Sequence, residues 1–418
     1  MRFKILILFL VLCNHAFCQF MFPSSVIIQP DFDTKPNLLW KYKTNGPIVG
    51  SPVIDNETVF VGSLDSSLYS LNLLTGALKW KLPTNGSIRS SVCATKAALL
   101  LLSTDGLLYR IEKDSGKVSG YFKTMNGIMG DPQSDYADYF TSTPVMVDST
   151  IYFGSGDAVY AVSFIDGYLR WSFKTGGAVH TTPAINRNLL VAGSFDGYIY
   201  AIDVKTGLLV WKFKTTGNFS FPKGEVMGNP VVASDMVFAG ARDYNFYAVD
   251  VRGGFANWIK QMKMGWALPA TVNDTVIYVG SSDDRTLFAF NIRTGKEEWK
   301  SDVGFNVMGG CSIGDSMGYF GTLSGKVIAI NLRKGKIVWT IESESYKLNH
   351  YTYLKPDDSY RNDMGKIVKT PADMLKMYEK LGGIFGKPAK SGDYMVVAGY
   401  DGWIYCYSRI APPVKSTK

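Results

Sequence analysis

Histidine and cysteine are scarce in this chain, with three and five among 418 residues. His15, Cys13 and Cys18 fall within the first twenty positions, so a processed chain would keep only His180, His350, Cys93, Cys311 and Cys406. Two distant histidines give poor support to a zinc site or a Ser-His-Asp apparatus. Three cysteines build no disulfide framework and read as buried thiols. The chain also lacks a CxxCH haem attachment, a Gly-Lys-Ser phosphate loop, an HExxH helix and any adjacent pair of cysteines. Beyond the first twenty residues no apolar run is long enough to cross a bilayer. The net charge of +8 is scattered without a basic stripe, which excludes a nucleic-acid footprint.

What is present begins with "MRFKILILFLVLCNHAFCQF". Arg2 and Lys4 form a basic tip, residues 5–12 an apolar run, and Ala16 and Cys18 suit the positions before a cut at Gln19. The pattern predicts a secretory signal over 1–18, hence a secreted or periplasmic protein. Leu12 and Phe17 before the two cysteines disfavour a lipid anchor.

The body of the chain repeats itself. Gly-x-x-x-Trp recurs as Gly76/Trp80, Gly167/Trp171, Gly207/Trp211, Gly254/Trp258, Gly295/Trp299 and Gly335/Trp339, and a seventh copy has Gly116 but Gly120 in place of Trp. Upstream lie phrases such as "VGSLDSSLYSL" and "AGSFDGYIYAI", themselves preceded by "SPVI", "TPVM" or "NPVV". A spacing of about 40 residues is that of four-stranded propeller blades. Alternating strands, Asp-Gly hairpins and a Lys-Thr-Gly turn fill each unit. No blade covers both faces alone, so a flat residue at a fixed place, including Trp40, is read as blade docking. "LLWKYKT" at 38–44 is a fourth strand without its first three, and "YMVVAGYDGWIYCYSRI" at 394–410 lacks a fourth. Joined, they complete an all-β, eight-bladed β-propeller of four-stranded antiparallel blades. The expected organisation is blades over 36–342, an insertion over 343–388, a closing blade over 389–410 and a disordered tail over 411–418.

"SPVIDNETVFVGSLDSSLYSLNLLTGALKW" and "AGSFDGYIYAIDVKTGLLVWKFKT" resemble the pyrroloquinoline-quinone-type propeller repeat over nearly all of 38–342 and 390–410. The resemblance implies one of two relations. Quinoprotein dehydrogenases hold the quinone and usually calcium, whereas the eight-bladed lipoprotein of the outer-membrane β-barrel assembly machinery has no cofactor. The missing pair of adjacent cysteines stands against the first.

Departures from the repeat concentrate on one rim, at 125–140, 216–228 and 343–388, where a fourth strand crosses to the next first strand. Loops on a rigid scaffold carry binding. "KTPADMLKMYEKLGG" predicts a helix over 371–381, with Thr370 as cap, Pro371 first, Asp373 completing a capping box and Gly382 ending it. The segment is expected to lie across the rim as a lid.

Arg242, Asp243 and Asn245 replace a plain hairpin, and Asp283, Asp284 and Arg285 match them in the next blade. With Lys223 and Glu225 they are candidates for a polar sector. His180, Met227, Trp266 and Met308 align at first-strand entries near the channel mouth, with Asn229 beside them, and His350 joins from the insertion. Glu225, Asn229 and Asp243 offer oxygens for calcium under the oxidoreductase alternative. No cofactor is predicted otherwise. The reading is a monomeric envelope module that binds a ligand or protein through the decorated rim, with quinone- or calcium-dependent oxidation as the alternative.

Overall fold

The computed structural model describes residues 30–124 and 139–410. The expected leader, most of the 125–140 insertion and the tail lie outside these residues. Eight antiparallel four-stranded sheets are present. Seven run in chain order over 53–83, 93–123, 145–174, 184–214, 231–261, 271–302 and 312–342. The eighth joins Ala389–Ser391, Tyr394–Ala398 and Trp403–Ser408 to Asn37–Lys43, whose Leu38 faces Tyr407 and whose Trp40 faces Cys406. We number these blades 1 to 8.

Blade 4 shows why the repeat folds as it does. Its second and third strands, Leu189–Gly193 and Tyr198–Asp203, carry Leu190, Val191, Ala192, Ile199, Ala201 and Ile202 into the space between blades. They are buried on both faces, so their apolar residues are consecutive. The fourth strand, Leu209–Lys214, faces solvent and alternates. Gly197 and Gly207 turn the chain at φ of 80° and 71°, a region open to glycine at little cost. First strands of successive blades lie beside one another and line the axis.

The recurring tryptophan docks on the following blade rather than its own. Each indole N–H donates to a carbonyl three residues before the next blade's glycine: Trp40 to Leu73, Trp80 to Lys113, Trp171 to Val204, Trp211 to Val251, Trp258 to Ile292 and Trp299 to Leu332, at 2.7–3.0 Å. The ring lies on that glycine, where any Cβ would come within 2.6–2.7 Å of indole carbons. Two demands therefore meet in one residue, positive φ and no side chain. Within the fourth strand a bulge sits just before each tryptophan, and the residue paired with it is Ala, Ser or Cys.

Blade 7 meets a partner assembled from the other end of the chain. Trp339 donates to the Phe32 carbonyl at 2.6 Å, and Phe32 N–H donates to the Tyr319 hydroxyl at 2.7 Å. The Asp31 carboxylate accepts from the Ser316 backbone and hydroxyl at 2.8 and 2.7 Å. Residues 30–36 thus stand in for the missing turn of blade 8.

Replacing Trp211 by Ala should cost about 3–5 kcal/mol, through the lost ring volume and an unpaired Val251 carbonyl. Trp211→Phe should cost distinctly less. Urea unfolding of both variants checks this, and equal losses would count against the hydrogen-bonded docking.

Candidate functional site

The rim that carries the second-to-third-strand hairpins is held by two polar rings. In the outer ring a hairpin Asp accepts from the Tyr hydroxyl four residues on: Asp65 from Tyr69 at 2.5 Å, Asp105 from Tyr109 and Asp196 from Tyr200 at 2.6 Å. The same carboxylates accept backbone N–H groups of the preceding crossing, from Asn45, Asn85 and Gly176. Burial and the neighbouring carboxylate push these tyrosine hydroxyls upward in pKa. Asp243 belongs to this ring. It is fully buried and takes the Tyr247 hydroxyl, Gly217 N–H at 3.0 Å and Asn245 N–H at 3.1 Å. Asn245 reaches across to the Thr216 hydroxyl at 3.0 Å. Asp284 does the same work in blade 6, accepting Lys263 and Met264 N–H at 3.0 and 2.8 Å.

The inner ring links first-strand entries. Backbone N–H groups donate from Lys387 to Ser51, Ser51 to Ser91, Ser91 to Thr143, Thr143 to Thr182, and Thr182 to the Asn229 side chain at 2.8 Å. Asn229 is one link of that belt.

Across this rim lies the insertion, with three helices: α1 (Glu344–Tyr353), α2 (Met364–Ile367) and α3 (Pro371–Leu381). The α3 N-terminus has the reciprocal Thr370–Asp373 capping box, with Pro at the first turn, and Gly382 ends it at φ 73°. Helix α1 was not legible beforehand. It is capped by Ser343 and buries only Tyr346 and His350, so it has no apolar stripe to reveal it. Met377, Tyr378 and Leu381 of α3, then Phe385, pack into one core with residues from many blades. Among these are Leu64, Phe195, Leu323 and Tyr400, each standing just before or at the tip of a hairpin, and Met227, Trp266, Phe305 and Met308 from the crossings. The mouth of the channel is filled by this apolar mass.

Polar contacts pin the insertion at its margin. Asp358 accepts from Lys326 Nζ and the Tyr346 hydroxyl, each at 2.5 Å. Lys41 pairs with Glu344 at 2.7 Å, and Ser345 donates to Asp401 at 2.7 Å. Arg285 donates to the Asp357 carbonyl at 3.1 Å, so it holds the insertion in place. Asp283 accepts from Ser282 at 2.6 Å and from Asn306 at 3.2 Å.

Arg242 occupies the hairpin position that Phe195 fills in the previous blade. It is only 3% exposed. Its guanidinium lies 4.7 Å from the Phe195 ring centre, 5.0 Å from Trp266 and 5.9 Å from Phe221. Aromatic faces of three successive blade segments thus enclose one planar cation. His180 joins the edge of this group, 5.0 Å from Phe195. His350 stands apart from it in α1, stacked on Tyr346 at 4.6 Å. The structure therefore gathers Arg242, Trp266 and His180 around Phe195, leaves Asp243, Asn245, Asp284, Asn229 and Arg285 in blade-to-blade or blade-to-insertion contacts, and seats His350 in the insertion. Phe195 and Phe221 are additional to the candidate residues, and Phe195 holds the place before the hairpin Asp that Leu64 and Tyr400 hold in blades 1 and 8.

The oxygens offered for calcium do not fit a cation. Asn229 Oδ1 is taken by the Thr182 N–H, and both Asp243 oxygens already accept N–H or O–H donors. Of the three candidates, only Glu225 has a buried oxygen without a hydrogen-bond partner among the described residues. Among the described residues no group of three or more His, Cys, Asp or Glu converges on one point. No step through a quinone or calcium is derived from these residues.

Eight blades, a tryptophan dock at seven joints and a rim with this stitching define a PQQ-like β-propeller. A family model described as outer membrane protein assembly factor BamB (PQQ_2) matches residues 33–124 and 104–340, and the chain belongs to that family. In sequence it is also similar to the quinoprotein ethanol dehydrogenases of Pseudomonas putida (26% identical over 143 residues) and Pseudomonas aeruginosa (27% over 145). Each match spans 32% of this chain and 23% of the enzyme. In fold it is similar to BamB from Moraxella catarrhalis, with a TM-score of 0.65, 13% identity, and coverage of 90% of this chain and all of that one. The quinohemoprotein alcohol dehydrogenase from Comamonas testosteroni gives 0.67 at 12% identity, covering 91% and 78%. No helix among the described residues is long and apolar enough to cross a membrane.

Two outcomes are expected. Arg242→Ala should lose about 2 kcal/mol of unfolding free energy, the worth of a desolvated cation held by aromatic faces, while Arg242→Lys recovers only part of it. Asp401 has its carboxyl pushed above the ordinary range, first by burial. In the unfolded chain it ionises first, so above about pH 4 its charge works against the fold. Asp401→Asn should therefore gain in thermal midpoint relative to the parent as pH rises from 4 to 7. A constant difference across that range would refute it.

Proposed function

We propose that this chain is an extracytoplasmic scaffold of the cell envelope that binds a protein partner through the insertion-bearing rim. The observation that supports it best is the distribution of exposed apolar side chains on that rim. Phe219 stands fully in solvent on the crossing after blade 4, and Met264 is exposed on the crossing after blade 5. Leu348 and Tyr351 are exposed on α1. These residues project from loops and a helix fixed by the apolar plug beneath them, which suits recognition without large ordering costs. Membership of a family described by outer-membrane protein assembly supports an envelope location and a protein partner. The predicted leader at 1–18 agrees with export.

The similarity to quinoprotein ethanol dehydrogenases favours a second reading, oxidation at the channel mouth. Against it stand the filled mouth and the occupied oxygens of Asn229 and Asp243.

Photo-crosslinking residues placed at Phe219 and Leu348 in the native envelope should each capture the same partner, while positions Lys296 and Lys336 on the opposite rim should not. Capture from Lys296 and Lys336 alone would sink the rim assignment. Purified protein incubated with pyrroloquinoline quinone and calcium should emerge from gel filtration without quinone absorbance and without dye-linked ethanol oxidation. Retained, active quinone would establish the second reading instead.

A further inference from the structure

The joint between blades 2 and 3 is built unlike the other seven. Gly120 stands where a tryptophan is docked elsewhere, and a Cβ added to Gly167 of blade 3 would meet nothing within 4 Å. The cross-strand pair is also inverted. Elsewhere the tryptophan faces Ala, Ser or Cys, whereas Gly120 faces Arg110. Arg110 Nη1 donates to the Phe164 carbonyl at 2.8 Å, the carbonyl that an indole N–H would take by the rule of the other joints. Its guanidinium is 5.4 Å from the Phe164 ring centre, and its Nε lies 3.2 Å from the Ser119 hydroxyl. The arginine supplies the donor but not the ring.

A cavity of about 180 Å³, open on one side to solvent, remains there. Arg110, Gly120, Phe122, Phe164 and Gly167 line it. An apolar cavity of about 150 Å³ is enough to admit benzene. Around its mouth Tyr121, Ile165 and Tyr168 are each about 70% exposed. The residue after the turn glycine stays apolar and exposed in the next two blades, as Leu208 and Phe255, but is Lys in blades 2, 6 and 7. Exposed apolar surface therefore runs outward from this joint along blades 3 to 5, and stops where lysine begins.

We propose that the slot between blades 2 and 3 receives a tryptophan side chain presented by a partner polypeptide, its ring lying on the Gly167 turn and against the Arg110 guanidinium. Six other joints show that this geometry, an indole on a bare glycine turn, is occupied by a tryptophan ring. Here the chain withholds its own ring while keeping the bare glycine turn and the polar contact to residue 164. The flanking apolar residues give the rest of the partner segment a surface to cover. The slot lies on the outer edge of the propeller, away from the insertion, and is independent of the rim proposed above.

N-acetyl-tryptophanamide is the probe, with N-acetyl-leucinamide as the control, read by saturation-transfer NMR and by displacement titration on the full protein. The parent should bind the aromatic probe saturably at low millimolar concentration and the leucine control at least tenfold more weakly. The double substitution Arg110→Ala with Gly120→Trp rebuilds the pair used in the other blades. It should raise the thermal midpoint and abolish probe binding. Should that variant not fold, Ile165→Asp with Tyr168→Asp, both on the surface, should weaken the probe at least fivefold. No saturable binding to the parent, equal binding of the two probes, or undiminished binding to the folded variants would each overturn the proposal.

Discussion

A propeller stands or falls on the joint between neighbours, and at six of the eight joints here that is a single indole laid on a bare glycine. The contact combines the largest apolar side chain with the smallest residue. One hydrogen bond, from the indole nitrogen to a carbonyl three residues before the glycine, sets the direction of the ring. The Gly-x-x-x-Trp spacing thus does not describe a pair that meets. It places in one blade the receiving half of one joint and the donating half of the next, so identical units tile a circle without any unit recognising itself.

Above that scaffold the rim is used differently from the sides. Aspartates at the hairpins hold a tyrosine of their own blade and the backbone donors of the preceding crossing, and serine, threonine and asparagine side chains link blade to blade nearer the axis. Four hairpin tips carry the apolar Leu64, Phe195, Leu323 and Tyr400, and that of blade 5 carries an arginine. The insertion settles onto those tips and converts a channel mouth into part of the core. A surface made in this way is stiff, because its helices rest on groups contributed by most of the ring. That stiffness favours recognition of a second protein over admission of a small molecule.

Much of this was legible in the amino-acid sequence because repetition amplifies it. Strand order, blade number, and closure by residues 38–44 follow from phrases that recur, and helix α3 from Thr370, Pro371, Asp373 and Gly382. The site was harder to read for a physical reason. Asp243, Asn245, Asp284 and Asn229 belong to residue types that serve turns and ligands equally, and only their partners tell which. Gly217, Lys263, Met264 and Thr182 come from other strands or crossings, out of reach of local pattern. Helix α1 escaped because its buried face is two residues wide. Nothing in "PDFDTKP" at 30–36 shows that Phe32 will offer a carbonyl to Trp339. Conversely, Gly120 was visible as an exception, but that Arg110 stands opposite it depends on strand register.

The pairing of Asn37–Lys43 with Trp403–Ser408 has a consequence for how the molecule is made. Its partners are separated by nearly the entire polypeptide, so this contact is the most non-local in the fold and carries the largest loop-closure entropy. During vectorial synthesis the first strand emerges long before its partner exists. Blades 1 to 7 can stack in sequence as they appear, each covering the one before, while the early strand and the segment bearing Phe32 wait unpaired. Ring closure is then the final event, and until it happens the stack has two raw edges open to chaperones or to other chains.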